Sequence, residues 1–133
     1  MTTHSRPWLH HYDYWVPPHL NYPDRPLHEI LDTTVVDAPD RPATSFFGAT
    51  LTFEDIKDRS DRLATALDQY GIVKGDRIGI MLPNCPQYVI AAFAILRLGA
   101  VVVNINPSYT AREVLNVAVD SGIRMLIALD ALA

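Results

Sequence analysis

The chain has 133 residues, room for one ordinary domain and not for two. Apolar residues make up 49% and charged residues 20%, a globular rather than disordered composition. The formal charge of −4 argues against a nucleic-acid or anionic-membrane surface, and the single cysteine, Cys85, rules out an internal disulfide.

Met1 to Leu20 mixes His, Pro, Trp and Tyr and holds no apolar core of signal-peptide length. The longest apolar stretch, Tyr88 to Leu96, is too short to cross a bilayer, so the cytoplasm is the expected location. Seven prolines (Pro7, Pro17, Pro18, Pro23, Pro26, Pro39 and Pro42) punctuate the first part of the chain and exclude a long helix or a central strand there. Trp8, Leu9, Tyr12, Tyr14, Trp15 and Leu20 are too apolar for a free tail, which predicts an extended arm lying against a surface. Leu27, Ile30, Leu31 and Thr34 fall at helical spacing, so a short helix is expected around Leu27 to Val36, stopped by Pro39.

From Ala43 the pattern becomes regular. Ala43 to Phe47 and Thr50 to Thr52 bracket Gly48-Ala49 and predict a small hairpin. Thr52 and Asp55 form a capping-box pair at the start of a helix whose apolar stripe is Phe53, Ile56, Leu63, Leu67 and Tyr70, ended by Gly71. Its other side, with Glu54, Lys57, Asp58, Asp61, Arg62 and Asp68, reads as a solvated face. Arg77 to Leu82, Ala100 to Ile105 and Arg124 to Leu129 are nearly continuous apolar runs, as expected of strands buried on both faces of a parallel sheet. Between them lie a helix over Pro86 to Leu98, opened by Asn84 and Pro86 and closed by Gly99, and a second from Thr110, capped through Glu113, to about Gly122. Strand, helix, strand, helix, strand makes the class α/β, a βαβαβ unit with right-handed crossovers.

Such a unit invites a nucleotide reading, but the phosphate-binding loops are missing. The first strand-to-helix turn, Leu82-Pro83-Asn84-Cys85-Pro86, has no glycine, and Pro83 lacks the N–H that a phosphate cradle uses. The second, Asn104 to Thr110, has no glycine either. The histidines His4, His10, His11, His19 and His28 are scattered and match no metal spacing. Cys85 stands at a helix mouth, where a thiol can be activated, but no histidine is near it in sequence. Ser108 and Asp120 lack any nucleophile signature. The sequence therefore carries no catalytic, cofactor-binding or metal-binding residue set.

The helix over Pro86 to Leu98 is apolar nearly all round. Exposing Tyr88, Ile95 and Leu98 would forgo burial worth about 1.5–3 kcal/mol per aliphatic side chain, so a covering partner is expected there. The chain also stops at Ala128 to Ala133, just past a strand, where a further helix is expected.

Pro42 to Gly48 followed by Leu51 to Ile56 resembles the first core motif of the adenylate-forming superfamily. Gly71 to Pro86 is similar to the strand-turn-helix stretch that follows it in AMP-forming acyl-CoA synthetases, and Leu96 to Pro107 looks like the second core motif. Ser108 to Glu113 and Asp120 to Gly122 continue the pattern, and Arg6 to Leu9, His11-Tyr12 and Val16-Pro17 resemble the N-terminus of long-chain fatty-acid CoA ligases. The resemblance implies an incomplete parallel sheet of the adenylate-forming N-terminal domain. It also implies a parent reaction that joins a carboxylic acid, here a fatty acid, to coenzyme A at the expense of ATP, with Mg, releasing AMP and pyrophosphate.

The family's Ser/Thr/Gly-rich loop ending in Pro-Lys-Gly, its later acidic and arginine motifs and its C-terminal domain are absent, so no family site residue is carried over. The expected organisation is a proline-rich arm over 1–42 and the truncated α/β part of the AMP-binding domain over 43–133. The expected function is that of an inactive fragment needing no cofactor of its own. Its expected partner is the rest of the ligase, or a second copy covering the Pro86 to Leu98 helix. The alternatives are a standalone dimerisation module and one half of a split ligase.

Overall fold

The computed structural model describes residues 6–130. The arm holds one short 3-10 helix, Pro7–His11, and α1, Glu29–Asp37. Before α1 it does not lie against the body of this chain: Leu9 alone is half-buried in the stretch from Arg6 to Leu27, and Tyr14 is 96% exposed. The helix expected around Leu27 to Val36 forms two residues later, anchored by buried Leu31.

Strands β1, Pro42–Phe46, and β2, Ala49–Thr52, pair antiparallel with Phe46 opposite Ala49. The turn is therefore Phe47-Gly48, one residue earlier than Gly48-Ala49. Both residues have positive φ, 47° and 83°, as in the tight turn whose twist matches a hairpin. The capping box at Thr52 forms as expected: its hydroxyl accepts from the Asp55 N–H at 3.1 Å, and Asp55 Oδ2 accepts the Thr52 N–H at 3.0 Å. It opens α2, Phe53–Gln69, which ends at Tyr70 before left-handed Gly71. Ile56 and Leu67 are buried, but Tyr70 is 75% exposed because the helix has ended and its ring hangs past the core.

Three strands, β3 (Arg77–Met81), β4 (Val101–Asn104) and β5 (Met125–Ala128), form a parallel sheet in the order β4-β3-β5. They are joined by α3, Pro86–Arg97, and α4, Ala111–Ser121. Only β3 is buried on both faces. Among the described residues β4 and β5 are edge strands and remain half-buried or exposed, so their apolar runs are not buried on both faces as expected. The step from β3 to β4 and the step from β4 to β5 run in opposite directions across the sheet. Right-handed crossovers then place α3 and α4 on opposite faces. Ile78 and Ile80 belong to the core with α3 and α2, whereas a side chain at Gly79 would strike Leu126, Ile105 and Ile123 on the other side.

The apolar helix α3 is covered from within. Buried Ala91, Ala94 and Ile95 share one core with Ala64 and Leu67 of α2 and with Ile78 and Ile80 of β3. The small residues Ser60, Ala64, Ala91 and Ala94 let the two helices approach closely. Ile95, expected to need an outside cover, is fully buried, and Tyr88 and Leu98 are half-buried. A sandwich of sheet, α3 and α2 satisfies a helix that is apolar on two sides. At its start Cys85, not Asn84, occupies the N-cap position, with Pro86 just inside the helix. At the end of α4 Gly122 takes the left-handed conformation, as expected of a C-terminal glycine.

Candidate functional site

In an open α/β sheet, ligands bind beyond the carboxyl ends of the strands. Here that edge carries the turn from Leu82 to Cys85 after β3 and the loop from Ile105 to Thr110 after β4. The Tyr88 hydroxyl donates to Asn104 Oδ1 at 2.8 Å, which ties the first turn of α3 to the end of β4. Asn106 Oδ1 accepts the Ser108 N–H at 2.9 Å and shapes the second loop, and the Thr110–Glu113 capping box starts α4. A cleft of about 310 Å³ opens between the hairpin and α3, lined chiefly by Thr44, Phe46, Asn84, Cys85, Tyr88 and Val89.

That lining offers little chemistry. Cys85 is half-buried and its thiol makes no capping hydrogen bond. No imidazole, carboxylate or cation lines the cleft, so nothing there activates the thiol as a nucleophile. A nucleotide does not fit the turn either. A phosphate cradle needs successive free N–H groups and close backbone approach, and Pro83, with side chains at every position of the turn, supplies neither. Among the described residues no three His, Cys, Asp or Glu side chains gather to hold a metal. Among the described residues, those at this edge do not fit ATP or its magnesium.

Among the described residues the histidines gather into no metal-binding group. His4 lies outside the described residues. His10 and His11 close the 3-10 helix, and His19 Nδ1 lies 3.1 Å from Arg6 Nη1. His28 precedes α1, with its Nδ1 buried and unpaired. Ser108 and Asp120 are exposed and separate, Ser108 before α4 and Asp120 near its end.

The charged constellation that does form was not legible in sequence. Arg97, the last residue of α3, reaches Asp32 of α1 at 2.6 Å and Asp61 of α2 at 2.6 Å, and Lys57 pairs with Asp61 at 2.6 Å. The Arg97 Nε–Asp61 Oδ1 approach is an ion contact without hydrogen-bond alignment, whereas the Arg97 Nη2–Asp32 bond is aligned. Lys57 and Asp61 are thus half-buried at a three-helix junction rather than part of a solvated face. The i,i+4 spacing of Lys57 and Asp61 was visible, but nothing local announces a partner 65 residues from Asp32. A second tie joins Arg124 to Asp76 at 2.6 Å and to the Gly71 carbonyl at 2.9 Å, holding the start of β5 to the loop before β3. Both clusters are internally neutralised and serve the scaffold.

The model of the AMP-binding enzyme family matches residues 31–133, and the chain belongs to that family. It is 41% identical over 128 residues to the long-chain-fatty-acid–CoA ligase of Bacillus subtilis (strain 168), a match covering 96% of this chain and 23% of the relative. Among solved structures it resembles the N-terminal subdomain of Klebsiella oxytoca NpsA, with a TM-score of 0.76 at 28% identity, over 80% of this chain and 28% of that one. VinN, solved with 3-methylaspartate, gives 0.78 at 28% identity, over 82% of this chain and 30% of that chain. The chain therefore corresponds to the N-terminal part of an AMP-binding, acyl-CoA-ligase-like domain and spans less than a quarter of the length of the curated relative. No helix among the described residues is long and apolar enough to cross a membrane.

Proposed function

We propose that this chain is scaffold for a fatty acyl-CoA ligase: it builds the first strands and covering helices of the lobe on which other parts of the ligase bind ATP, magnesium, coenzyme A and the acid. In the parent reaction the carboxylate is joined to AMP with loss of pyrophosphate, and the acyl group then passes to coenzyme A. The observation that carries this reading is the match to a long-chain-fatty-acid–CoA ligase along 96% of the chain, combined with a strand-edge cleft that no cation, carboxylate or imidazole lines. In this reading 1–42 is an arm and 43–133 the α/β part, the chain alone is inactive and binds no cofactor, its partner is the remaining ligase polypeptide, and it works in the cytoplasm.

A chimera tests it. Residues 1–133 replace the matched segment of the Bacillus subtilis ligase, and acyl-CoA formation from palmitate, ATP and coenzyme A is measured. The chimera is expected to keep activity within about tenfold of the parent, which corresponds to ~1.4 kcal/mol of transition-state stabilisation. Loss of activity in a chimera that folds would refute the scaffold reading. Pyrophosphate release from ATP and palmitate by the 133-residue chain alone would refute its inactivity.

A further inference from the structure

The apolar flank of α4, where Leu115 and Val119 are 61% and 75% exposed, is open to solvent. A different apolar space is walled by four of this chain's own elements. It is a chamber of about 160 Å³ where α1, β1, α2 and α3 meet, with Leu31, Ile56, Val89 and Phe93 among its walls. Leu31 and Ile56 are buried, and among the described residues no charged side chain lines the chamber. It shares Thr44 and Val89 with the strand-edge cleft of about 310 Å³, so the two spaces adjoin and the cleft forms the approach.

The backbone aims a hydroxyl into this chamber. Pro42 pairs with Thr52 but Thr44 with Leu51, so Ala43 is an extra residue in β1. In a regular strand Ala43 and Thr44 would face opposite ways, whereas at this bulge both line the chamber. Thr44 Oγ1 is buried and has no hydrogen-bond partner among the described residues. Thr34, which carries the other hydroxyl in the lining, already donates to the Ile30 carbonyl at 2.7 Å. A buried hydroxyl without a partner destabilises a fold, and a bulge disrupts the strand ladder besides. Together they set one hydrogen-bonding atom in an otherwise apolar space, which is how small-molecule sites are built.

We propose that the chamber binds a compact uncharged ligand, an apolar body of about six carbons carrying one hydroxyl that hydrogen-bonds to Thr44 Oγ1. The size follows from the volume, since an apolar protein cavity of about 150 Å³ admits a benzene-sized guest. The head group is uncharged because no cation lines the chamber or its approach, where an ionised carboxylate would be buried without a partner. The inference goes beyond the ligase reading and does not depend on it.

Phenol is the probe, titrated into the 133-residue chain beside benzene, which lacks the hydroxyl, and benzoate, which is charged. Binding is followed through the amide resonances of the chain. Phenol is expected to bind with a Kd of about 1 mM and to shift the amides of Ala43, Thr44 and Val89, with benzene and benzoate about tenfold weaker. Thr44→Val keeps the shape of the side chain and removes the hydroxyl. It should weaken phenol about tenfold and leave benzene within about twofold. Ala43→Leu, which fills the chamber, should abolish both, and circular dichroism checks that each variant is folded. The proposal is overturned if Thr44→Val binds phenol as tightly as the unsubstituted chain, or if benzoate binds as well as phenol. It is overturned too if phenol shifts none of these amides, which would leave the hydroxyl to water. Phenol binding that disappears in the folded chimera has the same force, because a ligase side chain would then occupy the chamber.

Discussion

Three carboxylates tie single residues to the pH dependence of this fold. The Thr52 backbone N–H, then its hydroxyl, holds the Asp55 carboxyl below its ordinary 3.8, with Arg59 adding a smaller pull. The Val73 N–H does the same for Asp76, assisted by Arg124. The Thr110 hydroxyl and N–H lower Glu113 from 4.5. In each case the unfolded state binds the proton more readily, so stability rises with pH across the window between the two values. These contributions are complete above the ordinary values and are lost as pH falls through and below about 4.5. The urea midpoint is expected to fall between pH 6 and pH 3.5, and by less in Asp55→Asn, whose side chain does not ionise.

Gly79 is constrained by space. A Cβ there would sit 2.9 Å from a Leu126 methyl and 3.1 Å from those of Ile105 and Ile123. Gly79→Ala should therefore cost about 1–3 kcal/mol in urea unfolding through overpacking.

At the scale of elements, α1, α2 and α3 meet at Arg97. Its substitution by methionine keeps the length of the side chain but leaves Asp32 and Asp61 sharing Lys57. The junction's side chains are between 25% and 37% exposed, so solvent screening puts the loss between that of a surface pair and that of a buried one. A cost of about 1–2 kcal/mol is expected for Arg97→Met, shrinking in molar salt. The two helices flanking the sheet differ in the same physical terms. α3 holds three buried residues and α4 none. Amide hydrogen exchange should find α4 opening at a lower free energy than α3, by a protection factor at least about tenfold smaller. Equal protection would contradict the exposed flank of α4.

For the whole molecule, what the carboxyl-terminal edge of the sheet presents bears on the proposed scaffold role. The strand edge that would face a substrate is present and ordered by Tyr88–Asn104 and by the Asn106 turn, but no cation, carboxylate or imidazole lines its cleft. Under the proposed scaffold role, the chain positions groups that arrive from elsewhere. It should therefore be silent in a pyrophosphate assay alone and competent when the remaining ligase is attached.

Local chemistry in the sequence determined the elements: the capping boxes at Thr52 and Thr110, the left-handed glycines at Gly71 and Gly122, and the apolar runs of the three strands all appear where short-range rules put them, because they depend on neighbours three or four residues away. The motif order was enough to identify the family. Tertiary structure alone decided which apolar residues had partners. Ile95 is buried by α2, Lys57 and Asp61 are drawn into a junction by Arg97, and Tyr70 is left outside, since burial depends on where distant segments come to rest. It also showed that the uncovered apolar surface lies not on the Pro86 to Leu98 helix but along α4 and β5. The reason is the hand of the crossovers, which places α3 against α2 on one face of the sheet and leaves α4 alone on the other.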